Sequence, residues 1–246
     1  MTPQEAILNH ERNKNVLFYE DEHKYEFITE DGTKEQWYGI TSWIKEFHEK
    51  FDRDGISKFV ASRDRRTQEE VLAEWDKKRD DAIEYGNHVH KLAEDYINDG
   101  LIIDDEEDLA CIIEAEGKLG YRSVLSEWVI YDERLKRCSA IDWLAFNPEN
   151  DKFVIMDFKT NKEIKYEGYN GKMMHYPCEM LPDSNYYHYC LQLSIYKKIV
   201  REQYDLPVQD EMFILYIRQG EYELLPVFDM GHIVDLMYEH NEYLNS

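Results

Sequence analysis

The stretch CSAIDWLAFNPENDKFVIMDFKTNK, residues 138–162, reads as two strands joined by a tight turn. The first, about 139–146, alternates in polarity and carries Asp142. The turn, 147–151, is Asn-Pro-Glu-Asn-Asp, dense in residues that favour turns. The second, about 153–159, is a β-rich apolar run ending in Asp157-Phe158-Lys159. Side chains two apart on a strand share a face, so Asp157 and Lys159 point the same way. Pairing across the turn brings Asp142 towards both. Two carboxylates and an ammonium are thus expected to converge at the end of an apolar hairpin.

Two carboxylates with open positions beside them suit a hard divalent cation, Mg²⁺ or Mn²⁺. Such an ion polarises a phosphate oxygen and lowers the pKa of bound water. A lysine beside it orients or deprotonates the attacking water, or stabilises developing charge. Those are the needs of phosphodiester hydrolysis. A bare Asp-x-Lys is short, and by itself is more often an ion pair at a strand end. The surrounding sequence therefore has to carry the reading.

The chain has 246 residues and a 43% hydrophobic share, enough for a sizeable core. No apolar run is long enough to span a bilayer, and the first residues, MTPQEAILNHERNK, lack the apolar segment of a secretory signal. A cytoplasmic setting, in a bacterium or a virus-infected host cell, is expected. Cys111, Cys138, Cys178 and Cys190 are scattered, with no C-x-x-C pair, which argues against zinc and iron–sulfur centres built on cysteine. Lys and Arg number 29 against 52 Asp and Glu, a net charge of −23. A nucleic-acid binder usually carries a basic footprint. An acidic chain that binds DNA needs a local basic groove and metal ions; otherwise the acid excess serves solubility.

Upstream, Val16–Tyr19 and Lys24–Ile28 read as strands, and a third at 36–40 follows the Asp31-Gly32 hairpin signal. Thr41 or Ser42 is placed to cap a helix running to about residue 51. Residues 57–80 read as polar helix, with a small basic cluster at Arg63, Arg65 and Arg66. The next helix starts near Gln68 or Asp80, runs to Asn98 and stops at Gly100. Within it Gly86, His90 and Glu94 recur every four residues and share a face. The glycine allows close approach to His90, a candidate imidazole ligand, with Glu94 to orient it. His88 falls off that face. A helix is expected at 104–117 and one strand at 121–131. That strand carries Glu127, a further acid of minor weight beside the metal. Residues 160–185 are irregular and long for a loop. Lys162, Lys165, Lys172, Tyr166 and Tyr169 there suit a flap holding a nucleic-acid strand, or else a floppy insertion. Asn185–Gln203 is a strong helix placing Gln192 and Tyr196 on one face. Two strands, Met212–Arg218 and 221–228, and a helix at 230–244 close the chain.

Taken in order, these residues resemble the RecB-type branch of the PD-(D/E)XK nuclease superfamily, including phage and mitochondrial exonucleases. The motifs are Gly86-Asn87-His88-Val89-His90, Ser139-Ala140-Ile141-Asp142, Asp157-Phe158-Lys159 and Gln192-Leu193-Ser194-Ile195-Tyr196, spread over about 36–218. Each is weak alone; four in the family's order are specific. The glycine usual before the strand aspartate is replaced by Ser139 and Ala140, the threonine often following the helix glycine is Asn87, and the four-cysteine cluster of some relatives is missing. The resemblance implies an α/β fold, a mixed central β-sheet flanked by helices, with N-terminal β-hairpin and helical additions. It implies a single domain over 1–246: N-terminal strands and helices at 15–80, a catalytic core at 81–228 and a closing helix at 229–246. It implies His90, Asp142, Asp157 and the Phe158 carbonyl as metal ligands, Lys159 as the catalytic lysine, and Gln192 and Tyr196 supporting the site and the DNA backbone. The expected activity is Mg²⁺- or Mn²⁺-dependent DNA hydrolysis, as an exonuclease on single- or double-stranded ends. An endonuclease, or a silent DNA-binding, scaffold or DNA-mimic protein, is the alternative. No iron–sulfur cluster and no membrane partner are implied, and a homo-oligomer is compatible.

Overall fold

The architecture follows from one bend. In the computed structural model, which describes residues 2–19 and 24–244, the strand expected at 139–146 is two strands, and so is the one expected at 121–131. The chain opens with α1 (Pro3–Leu8), whose first turn is closed by Thr2 accepting from Glu5 N at 3.1 Å. Strands β1 (Val16–Tyr19), β2 (Lys24–Ile28) and β3 (Lys34–Gly39) form an antiparallel meander. Then come the short α2 (Ile40–Ile44), α3 (Arg53–Asp64), the 32-residue α4 (Gln68–Asp99) and α5 (Glu107–Leu119). The bent hairpin is β4 (Arg122–Leu125) and β5 (Trp128–Asp132) going out, and β6 (Arg137–Ile141) and β7 (Trp143–Asn147) returning. β8 (Lys152–Lys159), α6 (Asn185–Gln203), β9 (Met212–Arg218), β10 (Glu221–Val227) and α7 (Gly231–Leu244) complete the chain.

Among the described residues two mixed five-stranded sheets result, in the orders β1-β2-β3-β6-β5 and β10-β9-β8-β7-β4. A mixed α/β fold with helices flanking mixed sheet is what the sequence leads one to expect and what forms, its strands divided between two sheets. β5 pairs with β6 in the first sheet and β4 with β7 in the second, so both arms of the hairpin change sheet at one level. The pairs Leu125–Leu144 and Trp128–Ile141 bracket that level and set Glu127 opposite Asp142. The N-terminal meander joins the first sheet through β3, which runs parallel to β6.

Alternation along β8 separates two cores. Phe153 and Ile155 face the larger one, which holds α6, α7 and the first sheet. Val154, Met156 and Phe158 face α4 and α5, against Val89, Ala93 and Ile112. Asp157 and Lys159 therefore belong to the α6 side. α6 packs between the sheets, against β5 on one side and β8 and β10 on the other. It is accordingly buried continuously from Cys190 to Lys197.

Two helices differ from the sequence reading. α2 ends at Ile44 and passes into a 3₁₀ turn, Lys45–Phe47, with no side-chain cap. Helix 57–80 is interrupted at Arg65, whose φ of 55° ends α3; Thr67 then starts α4 with a capping box completed by Glu70. Arg63 and Arg66 pair with Asp64 and Glu74, so their charge is neutralised locally. Residues 160–184 are irregular but anchored rather than floppy. Met174, Cys178 and Leu181 are buried, and His175 N donates to Phe47 O at 2.6 Å.

Candidate metal centre

α4 reaches the bend through its last turn. Asn98 Oδ1 accepts from Ser126 N at 2.8 Å, and its Nδ2 donates to Ser126 O at 3.2 Å. Ser126 Oγ in turn donates to Asp142 O at 2.6 Å, tying the two arms together. These bonds hold Glu127 at φ 55°, a left-handed conformation that costs a non-glycine residue about 1–2 kcal/mol. Eight residues before Asn98, on the same helix, His90 faces this bend. Its Nδ1 lies 3.0 Å from Glu127 Oε1 and its Nε2 3.7 Å from Asp142 Oδ2. His90, Glu127 and Asp142 offer ligand atoms all within 4.8 Å of one another. A carboxylate only accepts, so Nδ1 carries the hydrogen shared with Glu127, and Nε2 is the nitrogen that turns towards Asp142.

Helical spacing makes Glu94 the acid expected to orient His90. Glu94 instead takes Lys91 Nζ at 3.2 Å, and Glu127 makes the bond to the ring. Sharing a helix face does not suffice: a carboxylate one turn further on points along the helix surface, whereas the strand bend aims Glu127 straight at the ring. Gly86, one turn before His90, admits the end of β8; a Cβ there would stand 3.3 Å from Thr160 Oγ1.

Asp142 Oδ2 also accepts from Phe158 N at 3.2 Å, which links the bend to β8. Asp157, fully buried, stands behind the trio. Its Oδ2 pairs with Lys159, and its Oδ1 accepts from Gln192 Nε2 at 3.1 Å. Gln192 Nε2 lies 3.0 Å from Tyr196 OH, which shares a 2.5 Å hydrogen bond with Ser139 Oγ. Tyr196 is buried beneath Gln192 and props it from inside. Ser139, three residues before Asp142, is thus the partner of that tyrosine. The Phe158 carbonyl, expected as a ligand, accepts from Lys159 Nζ at 3.3 Å. The Phe158 ring stacks on Trp143 at 5.4 Å, and His90 meets its edge at 5.8 Å.

The charges respond to this crowding. Burial and the neighbouring Asp142 push the Asp157 carboxyl up to about 7, against the pull of Lys159. Burial disfavours the Lys159 ammonium, but Asp157 and Asp142 more than compensate and raise its pKa, so it stays charged. Burial likewise disfavours the His90 imidazolium, yet Asp142 and Glu127 raise it to about 9. His90, Glu127 and Asp142 fit a divalent cation by the chemistry of their donors, oxygen with one imidazole, while the oxygens of Asp157 are engaged by Lys159 and Gln192. His90 and Lys159 line a cleft of about 320 Å³ together with Arg79, Asn161 and Tyr189 among others. Tyr189, whose place beside Lys159 no motif in the sequence marks, has its ring centroid 4.8 Å from the Lys159 ammonium.

No family model matches the sequence, and no curated protein matches it significantly. Among solved structures, the chain is similar to a candidate exonuclease from Eubacterium rectale, with a TM-score of 0.36 and 15% identity, over 66% of this chain and 65% of that one. The match thus spans just under two thirds of that protein's length.

Proposed function

We propose that the protein is a divalent-metal-dependent deoxyribonuclease that hydrolyses phosphodiester bonds, with exonucleolytic attack on DNA ends as its activity. The observation that carries this reading is the meeting of His90, Glu127 and Asp142 within 4.8 Å of one another, with His90 also lining a cleft that Lys159 shares. His90 Nε2 and Asp142 are the groups to hold Mg²⁺ or Mn²⁺, with Asp157 behind them. When bound, the ion supplies Lewis acidity at a phosphate oxygen.

The chain's own groups do the rest. Glu127 fixes the tautomer of His90 and aims its Nε2. Lys159, held charged by Asp157, offsets negative charge developing on the phosphate and orients the attacking water; its raised pKa fits this better than a role as base. Gln192 holds the Asp157 carboxylate from the α6 side, and Tyr196 with Ser139 holds Gln192. Tyr189 offers a face for stacking a base at the cleft wall.

Digestion of linear and closed-circular DNA with Mg²⁺ or Mn²⁺ tests the proposal. Loss of linear DNA with survival of circles is expected. Cleavage of circles would make it an endonuclease on the same scaffold. No digestion with either metal would remove the catalytic reading and leave a silent DNA-binding or DNA-mimic protein.

A further inference from the structure

Away from the cleft, three other donors come together from separate parts of the chain. His48 follows the 3₁₀ turn after α2, Asp183 ends the 160–184 segment, and His188 lies in the first turn of α6. Their ligand atoms all lie within 4.8 Å of one another. The two imidazoles stack, with centroids 4.6 Å apart and planes at 17°. His188 Nε2 stands 3.0 Å from Asp183 Oδ1. His48 Nδ1 is 3.2 Å from the Glu49 carbonyl oxygen. A carbonyl only accepts, so that nitrogen carries the hydrogen and Nε2 of the neutral ring keeps its lone pair. A backbone carbonyl on the far nitrogen is a common way of orienting a metal-ligating histidine.

We propose that His48, Asp183 and His188 form a second cation site, separate from the cleft, that takes a transition-metal ion such as Zn²⁺ and fastens the 160–184 segment to α6 and to the turn after α2. Two imidazoles and one carboxylate suit Zn²⁺ and its neighbours in the first transition row; Mg²⁺ prefers oxygen alone. The plain alternative is a hydrogen-bonded packing contact between two rings and an acid. Two features favour a fastening. The segment already leans on this turn twice, through His175 N to Phe47 O and through the Lys172–Glu49 ion pair, so a third tie closes an existing seam. The site also sits where the segment enters α6, one residue before Tyr189, which packs on Lys159. An ion there would set the entry of the helix that frames one wall of the cleft.

The test uses the full chain carrying Asp142→Asn, which disables the cleft site and makes the result independent of the nuclease proposal. After chelation, Zn²⁺ is titrated in by calorimetry and Co²⁺ by its visible absorption. The expected result is one equivalent of Zn²⁺ with Kd tighter than about 10 μM. A rise in Tm of about 5 °C is expected at a hundredfold excess over Kd. His188→Ala and His48→Gln should each abolish the binding and the Co²⁺ absorption while circular dichroism stays unchanged. Should His188→Ala not fold, the half-buried His48 makes His48→Gln the deciding variant. Absence of binding, a Kd weaker than about 10 μM, or an equivalent that survives His48→Gln would overturn the site.

Discussion

Cation binding in the cleft should be strongly pH-dependent, and His90 sets the size of the effect. Its imidazolium lies between two carboxylates, Glu127 Oε1 at 3.0 Å and Asp142 Oδ2 at 3.7 Å, and titrates near 9 rather than 6.5. A cation ligated by Nε2 must displace that proton. At pH 7 the neutral ring is about one part in a hundred of the population, which costs about 2.7 kcal/mol of binding. Solvent reaches a third of the ring and screens part of this, so the firm expectation is a rise in affinity of at least about tenfold between pH 7 and 9, and up to about a hundredfold. Mn²⁺ titrations followed by electron spin resonance, at half-unit pH steps, give the curve. Calorimetry in buffers of different ionisation enthalpy counts the proton released. Glu127→Gln should move the steep part of the curve to lower pH and weaken the plateau by about ten- to a hundredfold, since the orienting carboxylate is gone. Equal affinity at pH 7 and 9, with no proton released, would refute the assignment of His90 as a ligand.

Four further outcomes are expected. The chelated protein should lose stability as pH rises: His90 is raised from 6.5 to about 9 and Asp157 from 3.8 to about 7, so each stabilises below its unfolded value and loses that contribution as pH climbs through its folded one. Tm measured from pH 5 to 9.5 should fall across that window and recover with Mg²⁺; a flat profile contradicts both shifts. Lys159→Ala should cut DNA cleavage by about a hundredfold or more at saturating Mg²⁺, with the fold intact by circular dichroism; unchanged rates would take Lys159 out of the mechanism. Tyr196→Phe removes the hydroxyl shared by Ser139 and Gln192, and urea denaturation should show a loss of about 1–3 kcal/mol. Glu94→Gln breaks a surface pair with Lys91 and should leave both stability, within about 0.5 kcal/mol, and cleavage as they were; a large loss of cleavage would return Glu94 to the site.

Local chemistry carried much of this into the sequence. Period-two alternation around the 147–151 turn foretells β7 and β8, and it places Asp157 and Lys159 on one face, where they pair. The helix bearing His90 is legible because Gly100, at φ 70°, is the residue type a left-handed cap needs. Gln192 and Tyr196 share a face of α6 by spacing alone, and they are bonded. The bend was not legible. SEW at 126–128 and IDW at 141–143 contain neither glycine nor proline, and both fit a continuous strand. The only local hint was polarity, an acid in each apolar run, and many strands carry one.

Sequence thus determined the elements and the residues that could react, because helix caps, turns and side-chain periodicity act within a few positions of the chain. Which acid meets the imidazole was decided by tertiary structure. Glu94 is four residues from His90 and Glu127 thirty-seven, yet the backbone at Glu127 is held in a left-handed turn by Asn98 and Ser126, contacts that exist only once helix and hairpin have docked. The pairing of His48 with His188 has the same origin, since 140 residues separate two rings that packing brings face to face.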